Sequence, residues 1–204
     1  MKKVKYKEIA DYNILGIDLG NKGSGNTAFC FLSKSTLQFK QTKKGEDELS
    51  VIFHILKKHP IKLVSIDAPL SFPGVYFHKH KFTDYQYREC DKLCKAMSPM
   101  FIGAFTARAI QLKNILEENK IEVIEVYPKK LAEILDLKKD YPLKREQDVP
   151  MELVKKIKKI APYPVKKTTS MHQFDSLLCW LSAHRYIHSH HEEFGNKNEG
   201  IIIV

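Results

Sequence analysis

Three apolar stretches of this chain each run into an acid at or near their ends: "GIDLG" with Asp18, "SIDAP" with Asp67 and "VIEVYP" with Glu125. Burying an unpaired carboxylate costs several kcal/mol, so an acid behind four largely apolar strand residues, as Asp18 is, must be paired, hold a metal or emerge at the strand end. In α/β sheets, ligands bind beyond the carboxyl ends of the strands, and neighbouring strands lie about 5 Å apart. The three acids are therefore expected to converge on one rim of a sheet. A fourth, Asp175, falls in the first turns of a C-terminal helical pattern, beside its apolar stripe, and can face the same rim. Oxygen donors at this density suit Mg2+ or Mn2+. Each acid also has a plainer reading: Asp67 before "AP" as a turn residue, Glu125 as the partner of a lysine.

The element order supports such a sheet. "NILGIDLG", "NTAFCFLS" and "TLQFKQT" read as three strands of an antiparallel meander. "EDELSVIFHILKKHP" carries Leu49, Ile52, Phe53 and Leu56 at helical spacing, with acids in its first turn and lysines in its last, as the helix dipole favours. "IKLVSIDAP" and "IEVIEVYP" are two further strands. Between them "SPMFIGAFTARAIQLKNILEENK" predicts a helix capped by Ser98, with Pro99 at its first position and a stripe through Ile102, Phe105, Ala109, Leu112 and Leu116. "PKKLAEIL", a basic "PMELVKKIKKI" and "MHQFDSLLCWLSAHRYIHSHH" complete the helices. After the polar "EEFGNKNEG", the final "IIIV" reads as an edge strand or a clip onto the sheet. Strands alternating with helices in the middle call for a parallel portion with right-handed crossovers. The whole is an α/β fold: a mixed five-stranded sheet with helices on both faces, an antiparallel β1-β2-β3 meander and parallel β4 and β5. The 204 residues fit one domain with insertions near 70–97 and 136–170.

The glycine loop "GNKGSGN" lacks the "GK[ST]" of a phosphate-binding loop and leads into a strand, so it reads as a tight hairpin in which Gly20 lets a backbone approach the site. The four cysteines, including the pair in "RECDKLC", read as free thiols; that pair's spacing fits one turn of a helix. No stretch approaches the roughly 20 apolar residues of a membrane span, and "MKKVKYKEIA" lacks the apolar region of a secretory signal, so a soluble cytoplasmic protein is expected. A formal net charge of +10, with lysine doublets spread along the chain, favours a polyanionic partner such as nucleic acid.

"GIDLG" on the first strand, the meander and an acid on the final helix resemble the ribonuclease H-like superfamily. More narrowly, "SIDAPLSFP", "YRECDKLC", "VIEVYP" and "FDSLLCWLSAHRY" resemble, in that order and over nearly the whole chain, segments of domain-of-unknown-function family 429, described as predicted nucleases of this fold. The resemblance implies a ribonuclease H-like three-layer fold and two-metal phosphodiester hydrolysis of DNA or RNA. Asp18 would bridge the metals, Asp67 and Asp175 would complete the cage, and Glu125 would ligate or orient water.

Other residues carry paired readings. Arg88 is a phosphate clamp or a salt bridge on a helix surface; Lys22 and Lys129 are further substrate-binding candidates. Tyr76, Phe77 and Tyr85 stack bases or form a satellite core. His184 and His188, at i, i+4, grip a metal or form an exposed cationic helix end. Two other functions compete with the nuclease. "GIDLG" also reads like the first phosphate loop of an actin-like ATPase, although no second such loop follows. The third reading is a noncatalytic nucleic-acid-binding protein that keeps the fold.

Overall fold

The computed structural model describes residues 9–142 and 148–204. The basic opening residues 1–8, and residues 143–147 of the 136–170 segment, lie outside the described residues. The chain runs through β1 (Ile14–Asp18), β2 (Ala28–Ser33), β3 (Thr36–Gln41), α1 (Glu48–Lys58), β4 (Leu63–Asp67), α2 (Glu89–Cys94), α3 (Gly103–Glu118), β5 (Glu122–Glu125), α4 (Pro128–Ile134), α5 (Met151–Ile160), α6 (Met171–Ile187), β6 (Glu193–Asn196) and β7 (Gly200–Ile203). The first five strands form one mixed sheet in the order β3-β2-β1-β4-β5. β2 runs antiparallel to both neighbours, while β1, β4 and β5 are parallel.

Alternation along the strands divides the core into two layers. Ile14 and Leu63 point towards α6, whose Phe174, Leu177, Leu178 and Leu181 form one apolar layer with residues of α4 and α5. Leu15, Ile17, Val64 and Ile66 point the other way, onto Val51, Ile52 and Ile55 of α1 and Ala109, Leu112 and Leu116 of α3. Burial on both faces explains why β1 and β4 read as continuous apolar runs.

Four local expectations are corrected. Phe53 of α1 is exposed, because the buried stripe runs through Val51, Ile52 and Ile55. α3 begins at Gly103, not Pro99: Ser98 accepts from the amide of Met100 and donates to the carbonyl of Gln86, closing a turn ahead of the helix. The glycine loop is a broad connection over 19–27. A Cβ on Gly20 would lie 2.7–2.8 Å from atoms of Asn26 and Thr27, so this glycine lets the two limbs of the loop meet. The polar "EEFGNKNEG" contributes β6, which pairs antiparallel with β7, and Ile203 bridges to Val126 beyond the end of β5.

Candidate active site

Asp18 and Asp67 end β1 and β4 and are direct register partners across that parallel pair. Counting back from them by twos, Gly16 and Ser65 share their face of the sheet, and this is the face that α6 covers: Ser65 Oγ donates to the carbonyl of Cys179.

Gly16 sets how closely α6 lies. A Cβ there would sit 2.4 Å from both the Ser176 carbonyl oxygen and the Trp180 amide nitrogen, so only a glycine admits the helix at this height. From Gly16 to Asp18 is about 6.6 Å along the strand, and four residues back along the helix, from Ser176 to His172, is about 6 Å. The two steps match, and they carry His172 over Asp18: His172 Nδ1 lies 2.6 Å from Asp18 Oδ2. Asp175, one turn beyond His172 on α6, is fully buried and accepts a hydrogen bond from the hydroxyl of Tyr141. Ser170 caps α6 by accepting from the amide of Gln173, and the positive end of the helix dipole lies among these acids.

Glu125 does not join this group. Its register partner is Ile66, one residue short of Asp67, so its side chain leaves the sheet on the α1/α3 side. There the fully buried Arg88 holds it through two contacts, at 2.7 Å to Oε2 and 2.6 Å to Oε1. The amide of Leu70 adds a third bond at 2.8 Å. Arg88 also donates to both oxygens of Asp91, at 3.1 and 2.6 Å, and to Ser71. Burial works against the cation, but the charge of Glu125 and the hydrogen bonds that Arg88 donates to both acids outweigh it and keep the guanidinium protonated. Arg88 is thus the cation at the centre of a buried ion-pair network, where the sequence suggested a phosphate clamp or a surface salt bridge.

A groove of about 270 Å³ opens beyond the strand ends, lined by Asp67, Pro69, Phe105, Glu125, Tyr127 and Lys129 among others. Lys129 is exposed at this groove. Lys22 is exposed too, but lines a smaller hollow with Asp47, Glu48 and Arg108 on the α1/α3 side. Tyr76, Phe77 and Tyr85 are 46%, 63% and 57% exposed, so they form no satellite core.

Among the described residues, two neighbours of the acids carry no expectation from the sequence. His172 had a signal, since "HQFD" places it at i, i+3 from Asp175 on one helix face. Tyr141 had none: it reaches Asp175 across 34 residues from an irregular segment.

Asp18 and Asp67 stand side by side at their strand ends and Asp175 lies on the helix that covers that face, while His172 and Tyr141 each hold one carboxylate oxygen, of Asp18 and Asp175 respectively. Carboxylate oxygens are the donor type that a hard divalent cation takes, although the three do not close to within 4.8 Å of one another as Asp11, His184 and His188 do. Comparison with protein-family models, curated proteins and solved structures finds no match to this chain.

Proposed function

We propose that this chain is a metal-dependent nuclease of the ribonuclease H-like fold, related to domain-of-unknown-function family 429, which hydrolyses phosphodiester bonds of DNA or RNA. The observation that carries this reading is the in-register pair Asp18 and Asp67 at adjacent parallel strand ends, with His172 of α6 on Asp18 and Asp175 one turn further along that helix. The strand order, with β2 alone running against the other four, supports the same fold.

Asp18, Asp67 and Asp175 are the residues that would hold Mg2+ or Mn2+. Such ions supply Lewis-acid polarisation and charge neutralisation at a phosphoryl group. The chain's own contributions are positional. His172 fixes Asp18, Tyr141 fixes Asp175, and Lys129 offers a cation at the groove for a backbone phosphate. Exposed Tyr76 and Phe77, followed by the exposed basic run His78–Lys81, offer stacking faces and charge to a single strand. Glu125 and Arg88 serve the scaffold.

The test is cleavage of labelled DNA and RNA oligonucleotides with Mg2+ or Mn2+. Asp67 is only partly buried and Asn keeps the size of its side chain; a circular-dichroism melt checks the fold of the variant. Asp67→Asn is expected to lower cleavage by about 100-fold or more while the chain stays folded. Nucleic-acid binding without cleavage in the wild type, under either metal, would replace this reading with the noncatalytic one.

A further inference from the structure

The other end of α6 carries a second constellation. His184 lies 12 residues beyond His172, about 18 Å along the helix axis, and His188 follows one turn later. Their rings tilt against each other with centroids 4.4 Å apart. Both turn Nε2 towards one carboxylate, that of Asp11 in the 3-10 turn Asp11–Asn13: His188 Nε2 is 2.9 Å from Oδ1 and His184 Nε2 is 3.7 Å from Oδ2. One ligand atom from each of the three residues falls within 4.8 Å of the others.

That spacing is close to what a tetrahedral ion needs. With metal–nitrogen and metal–oxygen distances of about 2.0–2.2 Å, the ligand atoms around zinc lie about 3.3 Å from one another, between the 2.9 Å and 3.7 Å at which the two rings approach the Asp11 oxygens. The surroundings hold the donors in place. Tyr163 donates to Asp11 Oδ2 at 2.6 Å, and the His184 ring stacks on Trp180 at 5.3 Å and 23°. The His188 side chain is 46% exposed and that of His184 20%, so the cluster opens to solvent on one side and leaves room for water as a fourth ligand. Burial also lowers the proton affinity of His184, which favours the neutral ring that a metal requires.

We infer that Asp11, His184 and His188 form a binding site for a transition-metal dication, zinc foremost, that clips the Asp11–Asn13 turn to the end of α6. Two imidazoles and one carboxylate select zinc-like ions over Mg2+, which takes oxygen ligands. The site is therefore chemically distinct from the carboxylate cluster at the other end of the helix.

The experiment is calorimetric titration of chelator-stripped protein with zinc chloride alone, on wild type, Asp67→Asn, His188→Ala and Asp11→Asn. His188→Ala removes an exposed ring and leaves the core intact; a circular-dichroism melt without metal checks the fold of each variant. One zinc per chain is expected in wild type and in Asp67→Asn, with affinity lost by roughly 100-fold or more in His188→Ala and Asp11→Asn. Zinc should raise the melting temperature of the wild type and not of those two variants. The assignment is overturned if wild type binds no zinc, if His188→Ala binds it as tightly as wild type, or if Asp67→Asn abolishes it. Any of these leaves the three residues as an ion pair only.

Discussion

At the scale of single residues, two positions decide most of the architecture around the acids. Gly16 sets the height of α6 over β1, and with it the contact of His172 with Asp18. Arg88 decides whether Glu125 and Asp91, 7% and 1% exposed, can stay buried at all. Removing one member of a buried ion pair leaves its partner's charge uncompensated, and here two carboxylates lose the same cation. Arg88→Ala is therefore expected to cost about 3–5 kcal/mol, a fall in Tm of roughly 10 °C, read by urea and thermal unfolding. Arg88→Lys is expected to recover only part of this, since a point ammonium cannot bridge both acids as the planar fork does. The deficit of Arg88→Ala should also depend on pH. Burial already pushes the Glu125 carboxyl up, opposed by Arg88, and without the guanidinium that opposition is gone. A carboxyl whose folded pKa exceeds its unfolded one binds its proton first in the folded state, so the variant gains stability as pH falls. Its loss relative to wild type should be smaller at pH 5 than at pH 8; an equal loss at both would show that lost packing, not stranded charge, sets the cost.

Among the elements, much of the sheet was legible because its strands carry their own boundaries. Apolar runs punctuated by glycine, proline and an acid gave β1 to β5 and their mixed directions. The face on which each acid emerges was not legible. "SIDAP" and "VIEVYP" look alike, but β4 and β5 are offset so that Glu125 pairs with Ile66, and an offset of one residue turns a side chain to the opposite face. Register belongs to the assembled sheet, so no local motif states it. The β6–β7 hairpin was hidden for a related reason: β6 contains Gly195 and Asn196, poor strand formers, and is held by pairing with β7 and packing against α2. The stretch ahead of α2, which the sequence left irregular, is fixed by polar contacts. Asp84 accepts from Lys92 at 2.5 Å and from the amides of Gln86 and Tyr87 at 2.7 and 2.9 Å. The Lys92 contact first, then the two amides, hold its carboxyl down to about 2. A depressed folded pKa contributes stability that is complete above the ordinary carboxylate range and is lost as pH falls from about 4 towards 2. NMR titration should place the Asp84 midpoint near 2, and Asp84→Asn should remove this part of the acid sensitivity and speed exchange of the Gln86 and Tyr87 amides.

Over the whole molecule, the surplus of positive charge has to act together with the groove and the exposed aromatic run. The formal net charge of +10 draws any polyanion, but charge alone does not say where the strand lies. Two kinds of contact are separable by salt. A lysine on a phosphate releases counterions, so the logarithm of affinity falls linearly with the logarithm of salt concentration, by about 0.7 per contact for a single strand. Stacking on an aromatic ring adds affinity, about 1–3 kcal/mol per base, without a counterion term. If the strand crosses the groove beyond β1, β4 and β5 and continues onto the 76–81 run, the two sets of variants must differ in kind. Lys129→Ala should weaken single-strand binding and flatten the salt slope by nearly one contact. Tyr76→Ala and Phe77→Ala should weaken binding at every salt concentration and leave the slope as it is. Fluorescence anisotropy with an oligonucleotide, in a series of salt concentrations and with the metal withheld to prevent cleavage, reads both quantities at once. A slope unchanged by Lys129→Ala would take the strand off the groove, and affinity unchanged by Tyr76→Ala and Phe77→Ala would take it off the aromatic run.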